Sequence, residues 1–531
     1  MITIDIFLKN IGYGDFYFLS KESMMLFNLL VAVLLHAGFL QAYYCPYTCT
    51  ADPLEQTYPQ QNMCVLYAAI PPGLLGLPYA IYPTCELYNT DRFSYNKRLN
   101  WYPNAIFTPS TSDEVQYVLG QCLSNQLPFF IRSGGHCYEL PIPSGYIIDL
   151  RNFNDIIPDT TTNTVYIGAG CTLGNVISTL GAINYAIPTG TCPSVGVSGL
   201  ALGGGIGLLV RNYGLTCDSI VSMDLVTADN QLITVTQDSY PDLFWALRGG
   251  GHNSYGIVLG YTFKMYYIPT VSMLELRWNW NPQTFSDVYN AWQQWVTTLP
   301  ENISSEAVFK YKDGKARLSV NALKVGSEPF TEWESVFLKF NPTSTLLYTG
   351  NYLGAADIFA SNYPFPFSKA KSKFIFKPLP QGAVNVMINW MNILQNEQCR
   401  YVAFWEVGAG NPGAITNTNS AYFPRQAFGW VFGFIYWLHE SQAGAALNLI
   451  NQSYSQLEPY TSPFSYANLV DYDLGANYLY AYYGTNVDRL IQIKNTYDPN
   501  NVFNWAQGIP LLNVPKSILT QSIQSKYCPN K

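Results

Sequence analysis

Charged side chains are scarce in this chain of 531 residues. Lysine and arginine total 28 and aspartate and glutamate total 35, so the charged fraction is 12% and the formal net charge is −7. Globular proteins usually carry roughly 25% charged residues. Because nucleic-acid binding depends on clustered lysine and arginine that neutralise phosphates, this composition argues against a nucleic-acid partner.

Histidine and long apolar runs are also rare. The four histidines show no metal-ligand spacing, so no metal site is predicted. The apolar run at residues 24–35 is shorter than the ~20 residues that span a membrane. With Lys21 before it and Ala42 after it, the run predicts a signal peptide over residues 1–42 and a secreted or lumenal protein. An uncleaved membrane anchor is the alternative.

Eleven cysteines would then lie in an oxidising compartment, where disulfide pairing is expected and one cysteine is left over. They are Cys45, Cys49, Cys64, Cys85, Cys122, Cys137, Cys171, Cys192, Cys217, Cys399 and Cys528.

The length exceeds that at which one hydrophobic core stops growing, so two or more domains are expected. Residues 43–98 are rich in Cys, Pro and Tyr and predict a loop-rich segment. From residue 99 the pattern alternates between α and β: capping residues precede a predicted helix near 112–124, and an apolar strand follows near 128–132.

A second unit is predicted over residues 270–480. Aromatic strands such as "RYVAFWEVG" and "GWVFGFIYW" alternate there with predicted helices near 283–297 and 441–456. This pattern favours a sheet covered by helices on one face. The preceding unit, residues 99–269, and a C-terminal segment, residues 481–531, complete the division.

Two glycine-dense loops carry the first chemical information. They are "RSGGH" at residues 132–136 and "GTCPSVGVSGLALGGGIGLLVRNYG" at residues 190–214. Glycines allow positive φ and close approach of backbone amides to a ligand, as in phosphate-binding loops. Neither loop is a Walker or dinucleotide fingerprint. Two such loops, each with a nucleophile (His136 or Cys192), favour a cofactor site over simple tight turns.

These loops, together with "DLFWALRGGGHNSYGIV", "SYANLVDYDLG" and "YDPNNVFNWAQGIP", resemble the FAD-linked oxidases of the berberine bridge enzyme-like group in the vanillyl-alcohol oxidase superfamily, over about residues 98–510. The resemblance implies an α+β, two-domain PCMH-type FAD-binding fold. Two α/β subdomains would hold FAD, an antiparallel sheet covered by helices would form the substrate domain, and the C-terminal segment would return to the FAD domain.

The resemblance also implies that FAD is attached twice, by His136 to the flavin 8α-methyl carbon and by Cys192 to flavin C6. Both side chains are nucleophiles when deprotonated, with ordinary pKa values of about 6.5 and 8.5. Cys192 would account for the unpaired cysteine. A disulfide to Cys137, Cys171 or Cys217 is the alternative.

Further cofactor contacts follow from the same resemblance. They are Arg132, Ser133, Gly134, Gly135, Gly196, Val197, Gly199, Gly203, Gly204, Ile257 and Val258. His252 stands where relatives usually have a small residue and is predicted to be a loop residue. Trp505 stands where an asparagine commonly contacts the flavin, and Arg425 remains in "SAYFPR" although the usual histidine is lost.

The expected reaction is oxidation of an alcohol, in which a base takes the hydroxyl proton, hydride passes to the flavin, and O2 is reduced to hydrogen peroxide. Val195 stands where the family has a gate for O2 and favours an oxidase over a dehydrogenase. Sugars are the favoured substrates because aromatic residues are abundant and charge is scarce. The alternatives are an alkaloid-like or other secondary metabolite, or a flavin-retaining protein without turnover.

The substrate half departs from the family pattern. Leu469 stands where many relatives carry a tyrosine or histidine, and leucine cannot transfer a proton. The candidate bases are therefore Tyr466, Tyr472 and Tyr422, with Tyr436 a further candidate. A tyrosine, with an ordinary pKa near 10, would need a strong shift to act at neutral pH.

Overall fold

A computed structural model describes residue 66 and residues 69–139, 145–360, 367–396, 402–409 and 420–512. The predicted signal peptide lies outside the described residues and stays a prediction. In the described ranges, no helix combines the length and the apolar character needed to cross a membrane.

The first half of the chain forms mixed sheets. Their strands are β1 (Ala80–Ile81), β2 (Ala105–Phe107), β3 (Phe129–Arg132), β4 (Tyr146–Asp149), β5 (Ile156–Asp159), β6 (Thr164–Gly168), β7 (Tyr185–Ala186), β8 (Ile220–Val226), β9 (Leu232–Thr236), β10 (Ile257–Lys264) and β11 (Tyr266–Tyr267). One sheet has the order β1-β2-β4-β3, with β4 parallel to both β2 and β3. Another has the order β5-β6-β10-β8-β9 and is antiparallel, and β7 pairs with β11.

In the described part of this half, six helices lie between these strands. They are α1 (Tyr88–Asp91), α2 (Ser112–Ser124), α3 (Leu173–Gly181), α4 (Val197–Leu202), α5 (Val210–Tyr213) and α6 (Pro241–Gly250). Two of them, α2 and α3, begin after a threonine that caps the first turn, Thr111 and Thr172. Helix α2 starts in a capping box in which the Thr111 side chain accepts from the Glu114 backbone N–H. Because the box satisfies orphan donors of the first turn, it fixes the predicted start of the helix, which is confirmed.

The second half forms an antiparallel sheet. Its strands are β12 (Val271–Asn279), β13 (Ile303–Lys312), β14 (Lys315–Val325), β15 (Ser344–Gly350), β16 (Phe367–Ile375), β17 (Val402–Ala409) and β18 (Gly429–Trp437), in the order β15-β12-β14-β13-β17-β18-β16. Helices α7 (Pro282–Val296), α8 (Glu334–Phe337), α9 (Tyr352–Phe359), α10 (Gln381–Asn396) and α11 (Ala443–Leu457) accompany it.

Strand β18 shows how this sheet is buried on both faces. Val431, Ile435 and Trp437 belong to the core formed with helices α7, α10 and α11. The alternate residues Phe432 and Tyr436 belong to the core shared with the first half. Successive side chains of a strand point to opposite faces, so the predicted helix-covered face is confirmed and the other face is turned toward the first half of the chain.

The last helices of the described residues are α12 (Tyr478–Tyr483) and α13 (Val487–Tyr497), and short 3-10 turns connect the elements. These turns are Pro72–Leu74, Thr216–Ser219, Leu338–Phe340, Glu440–Gln442, Glu458–Tyr460, Tyr472–Asn477 and Gly484–Asn486. Helix α13 packs back on the first half: the buried Lys494 Nζ donates to the Ser254 carbonyl at 2.8 Å and to Asp498 at 2.6 Å.

A buried ion-pair network joins the two halves. Lys369 Nζ on β16 lies 2.6 Å from Glu139 and 2.7 Å from Asp471. Arg98 adds a 2.5 Å contact to Glu139, and Lys371 lies 2.9 Å from Asp471. Because each buried charge has an opposite partner, the network fixes the segment beside Tyr138 to the segment beside Val470. The residue boundaries of the domains stay predictions.

The expected cysteine pairing is wrong for Cys122, Cys171 and Cys217, which carry buried thiols, whereas Cys85 is disulfide-bonded. The buried thiols lie on separate elements, where cysteine packs as a small apolar side chain. Burial raises the pKa of Cys122 to about 12 and that of Cys171 to about 11, so both stay protonated. Cysteines 45, 49, 64, 399 and 528 lie outside the described residues.

Candidate active site

The two glycine loops meet in the wall of one cavity of about 350 Å³. The first loop turns directly after β3, with Gly135 at a φ of +67°. Its Gly134 backbone packs against the second loop so closely that an added Cβ would lie 2.2 Å from Gly196 N. Only glycine allows this approach, so one backbone contact explains why both loops carry glycine at these positions.

The Cys192 segment, residues 190–195, is held by the first turn of α3. Leu173 N donates to Val195 O at 2.9 Å and Gly174 N donates to Pro193 O at 2.8 Å. The first amides of a helix have no partner within it, so the segment satisfies these donors and is fixed by them. Cys192 and Val195 both line the cavity.

His136 lines the same cavity and contacts this segment. Its ring stacks on Tyr95, with centroids 4.0 Å apart and planes 21° apart, and its Nε2 lies 3.0 Å from Ser194 Oγ. Burial lowers the pKa of His136 to about 4. The imidazole is therefore neutral at physiological pH, and the ring has a nitrogen lone pair available as a nucleophile.

The cavity fits a large cofactor with a phosphate portion. Arg132 lines it and is held by Asp149 at 2.5 Å and by the Asp91 carbonyl at 2.7 Å. Its buried Nη2 has no hydrogen-bond partner among the described residues, and a buried donor of this kind needs an acceptor. Glycine loops, a spare guanidinium donor and two nucleophiles suit FAD.

Another part of the cavity lining is the aromatic face of the sheet. Trp430, Phe432, Phe434 and Tyr436 alternate along β18 and line the cavity, and Tyr138 OH lies 3.1 Å from Tyr436 OH. The alternation in "GWVFGFIYW" could have revealed this wall from the sequence.

Polar atoms also reach this wall. Glu306 on β13 lines the cavity, and its Oε1 accepts from Asn321 Nδ2 at 2.9 Å. Ser304 Oγ and Trp430 Nε1 are buried and have no hydrogen-bond partner among the described residues. Glu306 was not among the predicted site residues, because the side of the sheet on which it lies depends on the pairing register of β13.

Tyr466 is the one of the three principal tyrosine candidates that the described lining includes. Its hydroxyl accepts from Gly205 N at 3.0 Å, from Ile206 N at 3.2 Å and from Asn468 Nδ2 at 2.7 Å. These bonds favour the phenolate, but burial outweighs them and raises the pKa of Tyr466 to about 12. The hydroxyl therefore keeps its proton at neutral pH and anchors the second loop.

Tyr422 and Tyr472 lie away from the cavity lining. The Tyr422 ring packs on Gly204, where an added Cβ would lie 2.4 Å from it, and burial raises the Tyr422 pKa well above 10. Tyr472 donates its backbone N–H to Glu139 of the ion-pair network at 2.8 Å. These positions favour structural roles for both tyrosines.

Some of the predicted cofactor residues line the cavity and others do not. The cavity lining includes Arg132, Ser133, Gly134, Gly135, His136, Cys192, Gly196, Gly199 and Val258. Four predicted residues are not part of the described lining: Val197, Gly203, Gly204 and Ile257. The small size of Gly203 makes room for Asn468, whose Oδ1 would lie 2.2 Å from an added Cβ.

His252 is a loop residue, as predicted, but it also lines the cavity. Its Nε2 lies 2.9 Å from the Gly199 carbonyl, and its own carbonyl accepts from Trp505 Nε1 at 3.0 Å. Burial lowers the pKa of His252. Leu469 lines the same cavity, so the departures at positions 252, 469 and 505 all face one site.

The fold and the site define a flavoprotein of the FAD-binding class. Residues 103–236 match the family described as "FAD binding domain" and residues 465–510 match "Berberine and berberine like". The chain is 33% identical over 439 residues to the uncharacterised FAD-linked oxidoreductase YgaK of Bacillus subtilis, covering 80% of this chain and 95% of that protein.

Two further comparisons agree. The chain is 27% identical to tetrahydroberberine oxidase of Argemone mexicana, covering 77% of this chain and 83% of that protein. The solved structure of Physcomitrella patens BBE-like 1 has a TM-score of 0.73 and 28% identity, and covers 82% of this chain and 97% of that one. The chain belongs to the berberine bridge enzyme-like FAD-linked oxidoreductases.

Proposed function

We propose that this oxidoreductase removes hydride from an alcohol carbon of a sugar or oligosaccharide, with FAD bonded to both His136 and Cys192 and with O2 reduced to hydrogen peroxide. The supporting observation is that both nucleophiles line one cavity whose lining also includes the aromatic face of the sheet. FAD, when bound, supplies the hydride acceptor and the route of electrons to O2.

The two attachment residues differ in their protonation state and in what holds them in place. The His136 imidazole is neutral because burial lowers its pKa to about 4, and its stacking on Tyr95 fixes the ring plane. The Cys192 thiol must lose its proton to react. The segment that carries it is rigid through the amides of α3, so both bonds would form from preset positions.

The aromatic wall supports a sugar substrate. Ligand sites are mostly apolar and aromatic with a few placed polar groups, and here the rings of Trp430 and Phe432 line the same cavity as the carboxylate of Glu306. Rings can stack on the C–H face of a sugar, while the carboxylate accepts from a hydroxyl. Among the described lining residues Glu306 is the one carboxylate, so we assign hydroxyl recognition to it.

The same carboxylate among aromatic rings favours a second candidate, a substrate with a protonated amine such as an alkaloid. A cation held by Glu306 would lose a charge pair when the carboxylate is neutralised, whereas a sugar hydroxyl keeps an acceptor in the amide of glutamine. Glu306→Gln therefore separates the two substrate classes.

The experiment measures peroxide release from panels of oligosaccharides and of cationic aromatic amines. For a sugar, we expect Glu306→Gln to raise KM about tenfold, as for one charge-assisted hydrogen bond. For an amine, we expect a loss of about 100-fold or more. Glu328→Gln, at an exposed position, is the matched control and should change neither. Peroxide from neither panel would leave a flavin-retaining protein without turnover.

A further inference from the structure

A second cavity, of about 160 Å³, lies on the other side of the Cys192 segment. It is bounded by α3 and α9, and Gly190, Thr191 and Leu208 line both this cavity and the cofactor cavity. The wall between the two spaces is therefore the chain that carries Cys192.

Helix α3 is closely packed at both ends, against α9 at one end and against the Cys192 segment at the other. At Gly181 on α3 an added Cβ would lie 2.8 Å from Leu353 Cβ of α9, and at Gly174 it would lie 3.0 Å from Pro193 Cβ. The cavity occupies the gap between these two close contacts, so it results from how α3 is packed at both ends.

The lining changes from polar to apolar with depth. Asn175, Ser178 and Asp357 are exposed at the outer end. Leu208 and Phe359, buried to 7% and 9% exposure, lie deeper. Apolar cavities of about this size bind xenon and benzene, so the space suits a small uncharged molecule and is too small for an oligosaccharide.

We propose that dioxygen reaches the cofactor through this second cavity while the substrate uses the aromatic cavity. This inference rests on the proposed oxidase function. Dioxygen takes two electrons and two protons from the reduced cofactor and leaves as hydrogen peroxide, and a separate passage would let it arrive while the sheet side still holds substrate or product. Val195, the predicted O2 gate, lies at the end of the same Cys192 segment.

The first test does not depend on activity. Crystals pressurised with xenon, an apolar probe for dioxygen, should show a xenon site between α3 and α9. Ala356→Trp, which fills the cavity from α9, should abolish that site. Ile358→Trp, on the same helix at a position 39% exposed and outside both cavities, should retain it. Absence of xenon from the wild-type cavity would overturn the proposal.

The second test follows reoxidation of flavin that has been reduced photochemically without substrate, in stopped flow against dissolved O2. We expect Ala356→Trp to slow reoxidation at least about fivefold and Ile358→Trp to leave it within about twofold. Ser178→Phe, on α3, replaces Ala356→Trp if that variant does not fold. An unchanged reoxidation rate in a cavity-filling variant would refute the dioxygen route through the second cavity but not the oxidase function. Slow reoxidation of the wild type overturns the oxidase function itself.

Discussion

Replacing Gly134 by alanine is expected to disrupt the cofactor site, because it separates the two loops that build it. The new Cβ would lie 2.2 Å from Gly196 N and 2.6 Å from Gly196 Cα, whereas carbon contacts are comfortable at about 3.5–4.0 Å. The loops would have to part by roughly 1 Å or more, and both crowded atoms belong to the backbone. Overpacking of this kind costs about 1–3 kcal/mol, which corresponds to a loss of about fivefold to 150-fold in FAD affinity.

Gly199→Ala is the matched control in the same cavity. No atom lies within 4 Å of its added Cβ, and the residue is in α4, where alanine is more favourable than glycine by about 0.5–1 kcal/mol. We expect the flavin-free variant to be slightly more stable than wild type, and FAD binding to weaken because the methyl group enters the cavity.

The assay combines flavin content, from the ratio of flavin to protein absorbance, with thermal unfolding of protein prepared without flavin. Gly134→Ala should lower both flavin content and melting temperature, and Gly199→Ala should lower flavin content alone. Wild-type flavin content and stability in Gly134→Ala would refute the contact between the loops as the basis of the site.

Two further predictions concern His136 and the ion-pair network. Because burial lowers the pKa of His136 to about 4, the imidazole stays neutral as pH falls from 7 to 5. In Cys192→Ala, where His136 is the one attachment residue, covalent incorporation of FAD into flavin-free protein should keep its rate over that interval and fall near pH 4; a fall centred near pH 6.5 would contradict this. Lys369→Met leaves Glu139 and Asp471 short of a cation and should cost about 3–5 kcal/mol in urea unfolding, whereas Arg277→Met, in a partly exposed ion pair, should cost below about 1 kcal/mol. Equal losses in the free energy of unfolding for the two variants would refute the role of Lys369 as the buried cation of the ion-pair network.

Local features of the sequence predicted much of the fold and half of the site. The Thr111 capping box fixes the start of α2, and the aromatic strands and their helices lie where the patterns indicate. The glycine loops were recognisable because glycine spacing reports a backbone contact, here between Gly134 and Gly196.

The rest depends on contacts between distant parts of the chain. Glu306 faces the cavity because of the register of β13 with its neighbours, which its own segment does not specify. Tyr422 is a plausible base by residue type, but its ring fills the space beside Gly204. The thiol of Cys171 is buried, and no spacing rule distinguishes such a cysteine from a disulfide partner.

The central claim is that this chain holds FAD by two covalent bonds. Intact mass measured under denaturing conditions on wild type, His136→Ala, Cys192→Ala and the double variant tests it most directly. We expect the mass of one added FAD in wild type and in each single variant, and the bare polypeptide mass in the double variant. A wild-type protein that loses all its flavin on denaturation would contradict the claim.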